Sequence, residues 1–141
     1  MLARRELSEA QVRQRLLRRE HDPHLVDEAI SRLKDERAID DVRVAEAIAR
    51  NETSLRKRGR LRVKRKIESA GISSSLAKQA TDEMFADLDA DALLDAALAR
   101  RLRHGKAIAD DREFNRLYRY LIGQGFESDR VVVALKRHRS T

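Results

Sequence analysis

An all-α fold, built as three tandem three-helix repeats in an elongated, curved array, is predicted by three features of this sequence. Aromatic residues are only 4% of the chain, so a core must come from Leu, Ile, Val and Ala, which suits close helix packing better than a sheet. One Pro and five Gly leave too little punctuation for many tight β-turns. The third feature is internal repetition, which governs how every element is read.

Two helices announce themselves early. Ser8 with Gln11 three residues on forms a capping-box pair, flanked by Leu7 and Val12 at hydrophobic-staple positions, and Val12 and Leu16 mark a buried stripe. The next helix opens at Asp22 with Pro23 at its first position, where the missing N–H costs nothing, and continues through Leu25, Val26, Ala29, Ile30 and Leu33. With His21, Ile72 and Phe126 taken as equivalent anchors, Leu16, Ile67 and Leu121 precede them by five residues, and Val26, Ala77 and Val131 follow by five. His21 is expected to be a partly buried staple residue on this alignment. Gly71 and Gly125 sit just before two of the anchors as left-handed helix ends, and Asp22, Ser73 and Glu127 sit just after all three as N-caps.

A further helix precedes each pair, where Leu2-Ala3-Arg4-Arg5, Ile48-Ala49-Arg50-Asn51 and Leu98-Ala99-Arg100-Arg101 look alike. Ile39 and Val44 staple one of these at Asp40, and Asp89 and Asp91 start the last, where negative charge suits a helix N-terminus. The expected units are residues 1–37, whose first helix is cut short by the chain start, 38–87 and 88–141. Each is too small to be comfortable alone, so stability depends on stacking, and the resulting long body suits gripping a large partner better than enclosing a small substrate.

Composition narrows the function. Lys and Arg number 31 against 24 Asp and Glu, a net charge of +7, which favours a monomer through self-repulsion and a partner of opposite sign. Cysteine is absent, removing disulfides and thiol chemistry and fitting a reducing compartment. The longest stretch without a charged residue runs from Ser69 to Ala77, too short for a membrane span, and no apolar secretory region follows the basic N-terminus, so a cytoplasmic protein without a membrane partner is expected.

The densest local feature runs from Arg56 to Lys66, with eight basic residues in eleven, and Val63, Ile67 and Ala70 supply its buried side. Such a run is a patch for phosphates or acidic protein surface, or else a solvated helix face. Of opposite sign is Asp82 to Asp95, where Asp87, Asp89 and Asp91 mimic the first ligands of a calcium loop. Ala92 stands where that loop needs Gly and Leu98 where it needs Glu, so helix N-terminal acids explain the run better. His21, His24, His104 and His138 have no zinc-hydrolase spacing, and His104-Gly105-Lys106 lacks the rest of a phosphate loop. Tyr118 and Tyr120 interleave with Arg116 and Arg119, an arrangement that serves base stacking only if a ring is exposed. No spacing suggests catalysis, so no catalytic, metal or cofactor residues are assigned.

The stretches Leu2-Ala3-Arg4-Arg5-Glu6-Leu7-Ser8, Leu16-Leu17-Arg18-Arg19, Ile39-Asp40-Asp41-Val42-Arg43-Val44-Ala45-Glu46-Ala47 and Tyr120-Leu121-Ile122-Gly123-Gln124-Gly125-Phe126 together resemble the RecX family, in its order and over essentially the whole chain. Departures fall at Val44, Gly59-Arg60 and His21, where members usually have an aromatic, a Gly-Pro and an apolar or aromatic residue. The resemblance implies a non-enzymatic protein that binds the RecA filament on single-stranded DNA and restrains filament growth, ATP hydrolysis, strand exchange and repressor coproteolysis. Charge density, rather than any family motif, nominates Arg56, Lys57, Arg58, Arg60, Arg62, Lys64 and Arg65 to contact acidic RecA surface or nearby DNA, with Arg116, Arg119, Arg137 and Arg139 extending the contact. Replacing Arg58, Arg60 and Arg62 by Ala is expected to weaken inhibition without unfolding the chain. A stand-alone helical DNA-binding module is the alternative, and would bind naked DNA with a steep salt dependence.

Overall fold

The computed structural model describes residues 6–102 and 106–139, and its regular elements are all α-helices. In chain order these are α1 (Glu9–Arg18), α2 (Pro23–Asp35), α3 (Asp41–Ser54), α4 (Arg60–Ser69), α5 (Ser74–Ala86), α6 (Ala90–Ala99), α7 (Asp111–Gly123) and α8 (Ser128–Arg137). Among the described residues the single β-type pairing is an isolated bridge between Ile108 and Arg139. The Leu2–Arg5 helix and the His104-Gly105 pair lie outside the described residues.

Helix starts follow the local chemistry of the chain. Ser8 Oγ accepts from the Gln11 N–H at 3.2 Å while Gln11 Oε1 accepts from the Ser8 N–H at 3.0 Å, a complete capping box. Asp22, Asp40, Ser73, Asp89 and Asp110 each cap the next helix with a side-chain oxygen. Gly59 and Glu127 begin α4 and α8 without a side-chain bond. At the far ends, Gly71 and Gly125 take left-handed conformations, φ 83° and 98°, as their place before the anchors requires. The equivalent residue of the first pair is Glu20, also left-handed at φ 62°.

Packing proceeds in groups. α3, α4 and α5 pack on one another around Val44, Val63, Ile67, Ile72 and Ala77. α6, α7 and α8 enclose a second core around Leu94, Leu98, Leu121, Phe126 and Leu135. Phe85, on α5, touches both cores and joins them. α1 packs on α2, which buries Val26 and Ile30, but no residue of α1 itself is fully buried. His21 is exposed, whereas its counterparts Ile72 and Phe126 are 4% and 5% exposed. Those two are covered by three mutually packed helices. The α1–α2 pair has no third helix among the described residues to cover the turn.

The groups meet at two joints built alike. At the first, the α4–α5 turn lies against the start of α1: Ser8 Oγ donates to Ala70 O, and a Cβ on Gly71 would run into Ala10. At the second, the α7–α8 turn lies against the start of α4: the Gly59 N–H donates to Gln124 O at 2.9 Å and the Leu61 N–H to Gly125 O at 3.1 Å. A Cβ on Gly125 would overlap the Arg62 backbone. Ser8 and Gly59 hold equivalent positions, as do Gly71 and Gly125, so the stacking contact repeats with the sequence.

Candidate functional site

The basic run forms the loop into α4 and the helix itself. After α3 ends, Lys57 adopts φ 52° and turns the chain back, so that the Arg58 N–H donates to Glu52 O at 2.9 Å. Glu52 is 3% exposed, and its carboxylate is held by Arg58 Nη1 at 3.2 Å and Arg56 Nε at 3.5 Å. A carboxylate so buried is tolerable only with such partners. Arg60 pairs with Asp82 on α5 and lies over the Phe85 ring, 5.8 Å from its centre. Arg62 crosses the second joint, its Nη1 donating to Gly123 O and to Gln124 Oε1, each at 2.9 Å. Lys64 reaches Glu68 at 3.6 Å, one helical turn on.

The eleven candidate cations thus divide by what already occupies them. Arg56, Arg58, Arg60, Arg62 and Lys64 are engaged within the chain, and so is Arg139, which pairs with Asp111 over the Phe114 ring. Arg65, Arg116, Arg119 and Arg137 are exposed and form no ion pair among the described residues, and half-buried Lys57 forms none either. The expectation that Arg58, Arg60 and Arg62 could be removed together without cost to folding is revised. Arg58 neutralises a buried acid and Arg62 bonds the end of α7, so the triple variant loosens the loop and a joint together.

Crowding also shows in the electrostatics. The pKa of Arg62 is pushed below the ordinary arginine value, by burial first and then by the charges of Arg58, Arg65 and Arg56, against the pull of Glu52. Arg58, Arg62, Arg65 and Lys66 line one pocket of about 340 Å³ together with Gly123. Lys66, absent from the nominated set, belongs here: on a helix it lies one turn from Arg62, a spacing the sequence carried.

Other signals resolve into structural work. Asp89 caps α6 through the N–H groups of Asp91 and Ala92, both at 3.0 Å, and Asp91 meets Arg130 at 3.2 Å. Tyr118 and Tyr120 are half-buried against the α6–α8 core, and the Arg101 guanidinium covers the Tyr120 ring at 4.0 Å, leaving that face closed to a base. No helix of the described residues is long and apolar enough to cross a membrane.

Comparison with known proteins places this architecture. A family model for the first three-helix domain of RecX matches residues 1–33. Regulatory protein RecX of Halorhodospira halophila is 33% identical over 135 residues, which cover 95% of this chain and 81% of that protein. The chain belongs to the RecX family. Two further proteins named Regulatory protein RecX, from Chromohalobacter salexigens and Syntrophotalea carbinolica, are each 29% identical over 93% and 91% of this chain, and over 83% and 84% of their own lengths. With 95% of this RecX-family chain matched, the similarity spans both joints.

Proposed function

We propose that this chain is a non-enzymatic regulator that binds the RecA filament assembled on single-stranded DNA in the cytoplasm and inhibits its ATPase, recombinase and coprotease activities. Family membership supports the reading, and the observation that carries it is the set of exposed cations that form no ion pair among the described residues: Arg65, Arg116, Arg119 and Arg137. Like charges left unneutralised on a small domain oppose its own folding and favour an acidic partner. Units 1–37, 38–87 and 88–141 act in this reading as three stacked blocks of one monomeric clasp, spanning neighbouring RecA protomers. Tighter binding to one filament state than to the others then holds the filament in that state, with no bond made or broken.

The test is RecA-dependent ATP hydrolysis on single-stranded DNA with and without the protein. Suppression by the wild-type chain, relieved when Arg65, Arg116, Arg119 and Arg137 are all changed to Ala, is the expected result. Full suppression by that variant removes these residues from the interface. Equal affinity for naked and RecA-coated DNA replaces the filament reading with a stand-alone DNA-binding module.

A further inference from the structure

The pocket formed by Arg58, Arg62, Arg65, Lys66 and Gly123 has no role in holding the fold that accounts for all of its charge. Arg58 and Arg62 have partners, yet Arg58 Nε is buried without a hydrogen-bond acceptor. A buried donor left open costs free energy until something accepts from it. Arg65 and Lys66 add two exposed cations that no carboxylate answers among the described residues, none of which lines the pocket with an acidic side chain.

The four cations come from two directions, Arg58 from the loop and the other three from one face of α4. Arg62 and Lys66 are four residues apart on α4, about 6 Å of rise. A carboxylate presents two oxygens in a plane, and one guanidinium fork satisfies it. A phosphate presents acceptors around a tetrahedral centre and uses donors arriving from several sides.

We propose that this pocket, at the joint between α4 and the end of α7, binds a backbone phosphate of nucleic acid. The site works without RecA, so it goes beyond the filament reading and stands or falls separately from it. Gly123 is the built-in control point. It ends α7 without a positive φ, and a Cβ there would meet nothing within 4 Å, so a longer side chain fits without disturbing the backbone. Gly123→Glu places a carboxylate at the pocket wall, where it competes with an incoming phosphate.

Binding of a labelled oligothymidylate to the full chain, followed by fluorescence anisotropy across a salt series, tests the site in the absence of RecA. Three variants are compared with wild type: Arg65→Gln with Lys66→Gln, Gly123→Glu, and a charge-matched control, Arg18→Gln with Arg19→Gln. The pocket pair is expected to lose about tenfold in affinity and about 1.4 in log–log salt slope, roughly 0.7 for each single-strand phosphate contact. Gly123→Glu should weaken binding to a similar degree with an unchanged circular dichroism spectrum, and the control pair should lose less than about threefold. Equal losses from the control and pocket pairs would reduce the effect to net charge and overturn the proposal. So would displacement of the oligonucleotide by oligoglutamate of equal charge, or saturation by inorganic phosphate with no added affinity for the oligonucleotide.

Discussion

The two joints bring equivalent stretches of chain together but differ in bonding and in charge, the first held through the Ser8 hydroxyl and the second through main-chain N–H groups. At the second, Arg58, Arg62, Arg65 and Lys66 line the pocket beside the end of α7, and the positions equivalent to them at the first are Leu7, Gln11, Gln14 and Arg15. One cation stands where four stand. Gln11 is also committed locally, because its side chain closes the capping box on Ser8. Gly59 offers no side chain to cap, and Arg62, in the place of Gln11, reaches across to the neighbouring turn instead. The two joints thus bring equivalent positions into contact, and the exchange of a few side chains sets their difference in charge.

The sharpest way to break the comparison is at the two left-handed glycines. Gly125→Ala combines an unfavourable backbone conformation with overlap against the Arg62 main chain, for an expected loss of about 3 kcal/mol in urea denaturation. Gly71→Ala meets the Ala10 methyl rather than backbone and should cost less, about 1–2 kcal/mol. Equal losses would mean that the second joint is no more tightly locked than the first. Next in size is Ser8→Ala, which removes both the cap of α1 and the bond to Ala70 O, for about 1–2 kcal/mol in the same assay.

The smallest effect concerns Arg60, next to Gly59 in the chain. The carboxyl of its partner Asp82 is held below the usual carboxylate range, first by its hydrogen bond to Lys78, against an opposing desolvation, and then by the charge of Arg60. A depressed acid stabilises the fold above its unfolded value, about pH 3.9, and that contribution disappears as pH falls through the lower folded value. Asp82→Asn should therefore flatten the dependence of the thermal midpoint on pH below about pH 4 and leave its slope at neutral pH unchanged. An unaltered acid slope would show that this exposed pair contributes nothing measurable.

Helix starts were legible because caps are local. Ser8 with Gln11, Asp40 and Asp89 carry their hydrogen-bond chemistry within three residues, and Gly71 and Gly125 mark helix ends by the one conformation they tolerate best. The internal echo also led to the equivalent turns. Its limit was His21, because burial at the anchor depends on how many helices surround it, and not on the pattern along one. The basic run was visible as charge, but its division was not. Whether an arginine is free or occupied depends on what lies across space: Glu52 for Arg58, Asp82 for Arg60, and the end of α7 for Arg62. Only the last of these is a long-range contact between groups of helices, and no spacing along the chain announces it.

At the second joint, two of the bonds that set one helical group upon the next run from main chain to main chain, Gly59 to Gln124 and Leu61 to Gly125. Such a hinge is indifferent to most of the side chains around it. Relatives sharing about a third of their residues can then keep the same stride from block to block while repainting the outer surface. A change of binding preference would need no change of gauge.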